Sequence, residues 1–300
     1  MASPIHFSGV MEFDLENPLT SSDSEADSVL ALFSAESDHM SSPTSALDLH
    51  SRRHAVSLIL QAQCACNVDP LMAYLAINYV DRFLARQEIP REKPWAVWLL
   101  AVSSLSLASK MNMSDFSLPD FQIKEGFIFD DQTIRRMELL VLGALDWRMR
   151  SITPFSFLGF FLSFFSPALP PLLHALKERA FHILLKAQTE IKMLEFKPSL
   201  IAASALISSG DELFPIHSPA FRSAIFSSDF VNKEKLKECC LVMRDVVEMM
   251  TMDGDDRAPK TASSCATPIT VLGRTCPSSD SEWTVGSLMN GRDISKDPVQ

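Results

Sequence analysis

The feature that most constrains the fold is a series of helical patterns with sharp starts and very little strand signal. Asp69-Pro70, Thr153-Pro154 and Ser218-Pro219 each place a capping side chain before a proline, which is favoured at the first position of a helix. Asn232 is a further candidate cap. The chain has only nine glycines, and apolar residues rarely alternate with polar ones as they do in strands. The sequence therefore predicts an all-α protein.

Apolar residues recur at helical spacing in two sets of five segments. The first set lies near residues 51–66, 70–86, 94–110, 115–124 and 131–146. The second set lies near residues 154–166, 171–190, 198–209, 219–227 and 232–250. Because the two sets are offset by about one hundred residues, the pattern predicts two similar five-helix bundles in tandem.

The charge distribution divides the chain further. Residues 1–50 hold nine acids and no Lys or Arg, and residues 253–300 are rich in Ser and Thr. Such compositions do not support a packed core. We therefore expect a disordered acidic tail at 1–50, folded domains at 51–150 and 151–252, and a disordered tail at 253–300. The folded part has 21 acids and 22 bases without a basic stripe, so nucleic-acid binding is not expected.

Several other function classes lack their sequence signals. The most apolar run, FSFLGFFLSFF at residues 155–165, is much shorter than the ~20 residues of a membrane span, so it predicts a core helix. No basic segment followed by an apolar run indicates a secretory signal. The cysteines lack C-x-x-C spacing, and nucleotide-binding and hydrolase motifs are absent. We expect no catalytic activity, no metal, no cofactor and no membrane association.

Six segments carry a resemblance to a known family. They are RRHAVSLIL (52–60), NYVDRFL (78–84), LLAVSSLSLASKM (99–111), TIRRMELLVLGALDW (133–147), TPFSFL (153–158) and KPSLIAASAL (197–206). In this order they resemble the cyclin box and second cyclin fold of D-type cyclins, especially those of plants. The resemblance implies two tandem five-helix cyclin folds. It also implies a regulatory subunit, in the nucleus and also the cytoplasm, that activates a cyclin-dependent kinase at the G1/S transition.

The resemblance assigns roles to two pairs of charged residues. Arg52 and Asp81 lie in apolar segments, and a buried charge must be paired, so the family likeness implies a structural ion pair between them. Lys110 and Glu138 match the lysine and glutamate that cyclins direct at the backbone beside the kinase C-helix. Met111, Leu142 and Trp147 would form the apolar part of that surface, although core packing is an alternative role for Leu142.

The sequence also departs from the family pattern. The first cysteine is Cys64, so the N-terminal L-x-C-x-E motif for retinoblastoma-type proteins does not occur, and binding through it is not expected. The substrate-docking patch is altered at the positions that match His54, Ala55, Leu58, Gln61 and Trp98. Leu58 stands where the family has a tryptophan, and Gln61 stands where it has a glutamate that would anchor an arginine.

The sequence leaves two other functions and one form of regulation open. A cyclin-like decoy that binds a kinase without activating it would explain the altered patch, whereas a cyclin-fold transcription factor would need a basic face. Ser42-Pro43 and Thr267-Pro268 are candidate phosphorylation sites in the tails. We expect the second tail to engage the degradation machinery, and kinase inhibitors are further candidate partners.

Overall fold

The computed structural model describes residues 25–40, 48–90, 93–112, 117, 121–122, 128–166 and 169–252. The α-helices are α1 (Glu25–Ala35), α2 (Leu49–Cys66), α3 (Pro70–Leu84), α4 (Pro94–Met111), α5 (Asp131–Ala144), α6 (Phe155–Leu162), α7 (Pro170–Ala187), α8 (Pro198–Leu213), α9 (Ser218–Ser227) and α10 (Lys233–Met252). Short 3₁₀ helices follow at Glu36–His39 and Ile191–Glu195. The described residues contain no strand, and the predicted all-α class is confirmed.

Each lobe is built around one central helix made of small and aliphatic residues. In the first lobe α4 packs against α2, α3 and α5, and in the second lobe α8 packs against α6, α7, α9 and α10. Both central helices begin with proline, and both are buried over most of their surface. Small residues such as Ala101 and Ala202 let neighbouring helices approach closely from several sides. The same arrangement therefore occurs twice, as the two sets of helical patterns predict.

Two predicted helix starts are confirmed. Their caps are an acid, Asp69, and an amide, Asn232. Asp69 accepts hydrogen bonds from the backbone N–H of Leu71 and Met72, at 2.8 and 3.2 Å. Asn232 accepts one from the N–H of Lys235 at 3.0 Å. These bonds satisfy N–H groups that have no partner inside the helix.

The predictions that the hydroxyl groups of Thr153 and Ser218 cap helices are wrong. Thr153 makes no capping bond, and its buried hydroxyl has no hydrogen-bond partner. Ser218 is already the first residue of α9 and donates its hydroxyl hydrogen to Asp211 instead. The predicted helix near 115–124 lies largely outside the described residues, although Phe121 is buried in the core.

The prediction of a disordered acidic tail is wrong for residues 25–40. The helix α1 places the ring of Phe33 between Phe157 and Phe230, with both ring centroids 4.9 Å away. The buried carboxylate of Glu36 accepts hydrogen bonds from the N–H and hydroxyl of Ser199, each at 3.0 Å, at the start of α8. The prediction used the acidic composition of the whole region and overlooked the apolar run at residues 29–33. This run packs against the second lobe and not against residues nearby in the sequence.

The described part of the chain was also searched for membrane spans and metal sites. None of its helices combines the length and hydropathy that a membrane span requires. No group of three or more His, Cys, Asp or Glu side chains in these ranges is arranged to hold a metal ion. The apolar run of residues 155–165 supplies core side chains, among them Phe155, Phe157 and Phe161.

Candidate functional site

Arg52 and Asp81 form a buried ion pair that joins α2 to α3. Arg52 Nε lies 2.8 Å from Asp81 Oδ1, and a terminal guanidinium nitrogen lies 3.1 Å from Oδ2. The other terminal nitrogen donates to the backbone carbonyl of Gln188 in the second lobe, at 2.9 Å. Burial raises the pKa of the Asp81 carboxyl, and the guanidinium of Arg52 opposes that shift. All three nitrogens of the guanidinium are used internally, so this pair supports the structure.

Lys110 and Glu138 form a second ion pair, which lies at the surface. Lys110 is in the last turn of α4, and Glu138 projects from the packed side of α5. Lys110 Nζ is 2.6 and 2.7 Å from the two carboxylate oxygens. The Glu138 side chain is only 9% exposed, whereas that of Lys110 is 60% exposed. The carboxylate thus positions an ammonium group that faces solvent.

Five apolar side chains lie near the end of α4, along α5 and in the turn after it. Leu139, Leu140 and Trp147 are exposed, and Trp147 shows 67% of its surface. Met111 and Leu142 are half-buried and pack against the core. The alternative role of Leu142 in packing therefore applies to part of its side chain. We call Lys110, Glu138 and these five residues the α4–α5 surface.

The backbone after α5 holds Trp147 outward. Trp147 N–H donates to the carbonyl of Leu142 at 2.9 Å, and Asp146 N–H donates to that of Gly143 at 3.1 Å. Asp146 and Trp147 both have positive φ, at 52° and 58°. This is the Schellman pattern that ends many helices. Arg86 bonds the Asp146 carboxylate at 2.6 Å, and this bond lowers the pKa of that carboxyl.

The residues of the altered docking patch differ in their exposure to solvent. His54 and Trp98 are exposed and Gln61 is half-buried, but Leu58 is nearly buried and Ala55 has no accessible surface. A side chain without accessible surface cannot contact a peptide, so Ala55 contributes no contact surface to the altered docking patch. Ala55 and Leu58 both belong to the buried core side of α2.

Two exposed leucines were not predicted, and two predicted phosphorylation sites lie outside the described residues. Sequence reasoning missed Leu139 and Leu140 as surface residues. Their signal is that Ile134, Met137 and Val141 already fill the buried stripe of α5, which leaves two leucines outside it. The candidate phosphorylation sites Ser42 and Thr267 lie outside the described residues.

Comparison with known proteins identifies the family. The model of the cyclin N-terminal domain matches residues 28–150, and that of the cyclin C-terminal domain matches residues 152–262. The chain belongs to the cyclin family. The first matched region begins within α1, a segment that the sequence patterns alone assigned to a tail.

This cyclin is similar to several plant D-type cyclins. It is 44% identical to Cyclin-D6-1 of Oryza sativa subsp. japonica, over 95% of this chain and 89% of that protein. It is 42% identical to putative cyclin-D6-1 of Arabidopsis thaliana, over 79% and 85% of the two chains. A viral cyclin from herpesvirus saimiri shares the fold, with a TM-score of 0.62 at 15% identity over 73% of this chain and 96% of the other. The resemblance to plant D-type cyclins is confirmed.

Proposed function

We propose that this cyclin binds a cyclin-dependent kinase, activates it and thereby promotes the G1/S transition, acting in the nucleus and also in the cytoplasm. The observation that supports this most is the α4–α5 surface, which has an oriented ammonium group at the end of α4 and exposed apolar side chains on α5 and in the turn after it. Such a surface combines a directional polar contact with exposed apolar area, and protein interfaces contain both. The cyclin contributes this surface and no catalytic group.

The Lys110–Glu138 pair is suited to contact the backbone of a partner. The Lys110 ammonium group carries three hydrogens and donates two of them to the Glu138 carboxylate. One hydrogen therefore remains for a carbonyl oxygen of a partner. The Glu138 carboxylate has further lone pairs for an N–H group. A helix end offers such groups because its last carbonyls or first N–H groups have no partner within the helix.

Activation then follows from a difference in affinity between two kinase conformations. A kinase is active when its C-helix glutamate pairs with the strand lysine that holds the ATP phosphates. A rigid surface that binds the inward position of the C-helix more tightly increases the population of that state. Because α4 and α5 are anchored in the first lobe, the α4–α5 surface can bind without reorganising.

Further partners follow from the same role. Kinase inhibitors would compete for the complex, and the degradation machinery would recognise the second tail. Retinoblastoma-type proteins are not expected to bind through L-x-C-x-E, because that motif is absent from the sequence.

Co-purification with a panel of cyclin-dependent kinase subunits, followed by a phosphorylation assay, tests this function. We expect at least one kinase to bind and to become strongly more active. Binding without activation would favour the decoy function. No binding to any subunit, with a folded cyclin, would contradict the proposal.

A further inference from the structure

Three arginines come together where the end of α3 meets the turn after α5. Arg82 is in the last turn of α3, and its terminal nitrogens donate to the hydroxyl of Ser151 at 3.1 Å and to the backbone carbonyl of Arg148 at 2.7 Å. Arg86, four residues further along the chain, donates to the backbone carbonyl of Ala144. The side chain of Arg148 is exposed. We call Arg82, Arg86 and Arg148 the arginine cluster.

The three guanidinium groups lie within electrostatic reach of one another. Burial lowers the pKa of Arg82, and the positive charges of Arg86 and Arg148 lower it further. The same three groups hold the pKa of the Asp146 carboxyl below its usual value, and the hydrogen bond from Arg86 has the largest effect. Like charges at close range repel one another. Because bonds to backbone carbonyls fix two of the three cations in place, an anion that binds here would reduce this repulsion.

The charge of the arginine cluster is only partly balanced. Arg86 bonds the exposed Asp146 carboxylate at 2.6 Å. Within the described ranges, Arg82 and Arg148 have no ion pair of their own. Three guanidinium groups and one carboxylate therefore leave two positive charges, in a chain whose net charge is −10. A phosphorylated Ser or Thr carries a charge of about −1.5 to −2 at pH 7, so one such group would neutralise the remainder.

We propose that the arginine cluster binds the phosphate group of a phosphorylated linear segment of a partner protein. Guanidinium groups donate to phosphate oxygens in pairs, and clusters of arginine are a recurring means of recognising phosphorylated segments. Arg86 bonds both of its acceptors through one terminal nitrogen, so its other terminal nitrogen is available. Arg148 supplies further donors. Both terminal nitrogens of Arg82 already donate, so Arg82 contributes mainly charge.

Other anionic partners fit the arginine cluster less well. A nucleic acid presents a long run of phosphates and requires a basic stripe. Residues 51–252 hold 21 acids and 22 bases without such a stripe. A carboxylate of an acidic peptide carries a single charge, and Asp146 already supplies a group of that kind. A phosphate dianion matches the two remaining charges at one compact place.

The arginine cluster is separate from the altered docking patch. The end of α3 and the turn after α5 form the cluster, whereas the patch lies on α2 and α4. Arg148 directly follows Trp147 in the chain, so a segment bound here would lie at the edge of the α4–α5 surface. The cluster would retain a partner that already carries one phosphate and raise its effective concentration for further phosphorylation by a bound kinase. This use rests on the proposed function, whereas phosphate binding does not.

Fluorescence anisotropy with the full chain tests the proposal. The probe is a labelled peptide of glycine and alanine with one phosphoserine-proline step, and the matched peptides carry serine or glutamate in place of phosphoserine. We expect the phosphopeptide to bind at least about tenfold more tightly than the serine peptide. The glutamate peptide should lie between them because its side chain carries a single charge. Added salt should weaken phosphopeptide binding.

Variants locate the site. Arg148→Ala should weaken phosphopeptide binding about tenfold, and Arg148→Lys should weaken it less because the charge is kept while the paired donors are lost. Asp146→Asn should have the opposite effect and tighten binding severalfold, since it removes the competing carboxylate. Asparagine tolerates the positive φ at this position. Arg136→Ala, on the exposed side of α5, is the matched control and should change nothing. All variants should keep the helical content of the parent chain.

Four results would overturn the proposal. One is equal affinity for the phosphorylated and unphosphorylated peptides, and another is unchanged phosphopeptide affinity in Arg148→Ala. The third is tighter binding of a labelled single-stranded oligonucleotide than of the phosphopeptide, which would make the cluster a nucleic-acid site. The fourth is loss of kinase binding and not of phosphopeptide binding in Arg148→Ala, which would assign the cluster to the kinase interface. A chain that binds the phosphopeptide but no kinase would contradict the proposed function and leave this inference standing.

Discussion

The two ion pairs of the first lobe have similar geometry and different surroundings. Both link neighbouring helices through contacts of about 3 Å or less, α2 with α3 in one case and α4 with α5 in the other. In the Arg52–Asp81 pair both side chains are buried, and the remaining donor of Arg52 is bound to the second lobe. In the Lys110–Glu138 pair only the carboxylate is buried.

This difference in burial separates structural roles from binding roles. A fully enclosed pair has no capacity left for a partner, and losing one member leaves an uncompensated charge in the core. Removing both members of a pair with one exposed member leaves no uncompensated charge, so it costs less in the free protein. Such a pair keeps a hydrogen-bonding group available at the surface. Mutating each pair should therefore change different quantities, stability in the first case and kinase binding in the second.

The largest expected effect is the loss of stability in Arg52→Ala. Asp81 would be left buried and unpaired, at a cost of about 3–5 kcal/mol in the free energy of unfolding. Thermal and urea melts measure it. As a control, Arg86→Ala, which breaks the exposed pair with Asp146, should cost less than about 1 kcal/mol. A similar small loss in both variants would mean that burial does not distinguish the two pairs.

Next is the loss of kinase binding in Lys110→Ala with Glu138→Ala. We expect the affinity for a kinase subunit to fall at least about a hundredfold, because a central polar contact is removed, while the helical content stays the same. Titration calorimetry measures the affinity. The matched control is Lys237→Ala with Glu234→Ala, an exposed pair in α10. Wild-type affinity in the first variant would show that the α4–α5 surface is not the kinase-binding site.

A smaller effect is expected where the N-terminal segment meets the second lobe. Glu36→Ala would leave the N–H of Ser199 without its buried acceptor, at a cost of about 1–3 kcal/mol. Glu36→Gln retains an acceptor oxygen and should lose less. Urea melts of both variants rank them, and hydrogen exchange at Ser199 would report the loss locally. If both variants melt like the parent chain, the contact of residues 25–40 with α8 does not stabilise the fold.

No effect on kinase activation is expected from removing residues 253–300. The composition of this segment does not support a packed core, and we expect its role to be recognition by the degradation machinery. The truncated cyclin should therefore activate its kinase normally in vitro and persist longer in cells, as a cycloheximide chase would show. Equal decay of the two chains would argue against the degradation role, and lost activation would place the segment in the folded interface.

Much of the candidate site could be predicted from local sequence and family likeness. The family motif predicted that Lys110 and Glu138 belong to one surface, and in the structure their charged groups are in contact. The exposure of Leu139 and Leu140 and the outward turn at Trp147 were not predicted. The turn depends on the backbone conformation after α5. A motif identifies residue types, but it does not state which side of a helix a neighbour covers.

The sequence by itself determined the all-α class and the order of the helices in the two lobes, and its resemblance to cyclins implied the pairing of Arg52 with Asp81. The class and the helix order depend on periodicity and on caps such as Asp69. Only the tertiary structure decided that Ala55 is enclosed and that residues 25–40 are ordered. The physical reason is distance along the chain. The bond from Ser199 to Glu36 joins residues 163 positions apart, and the sequence around Glu36 does not indicate so remote a partner.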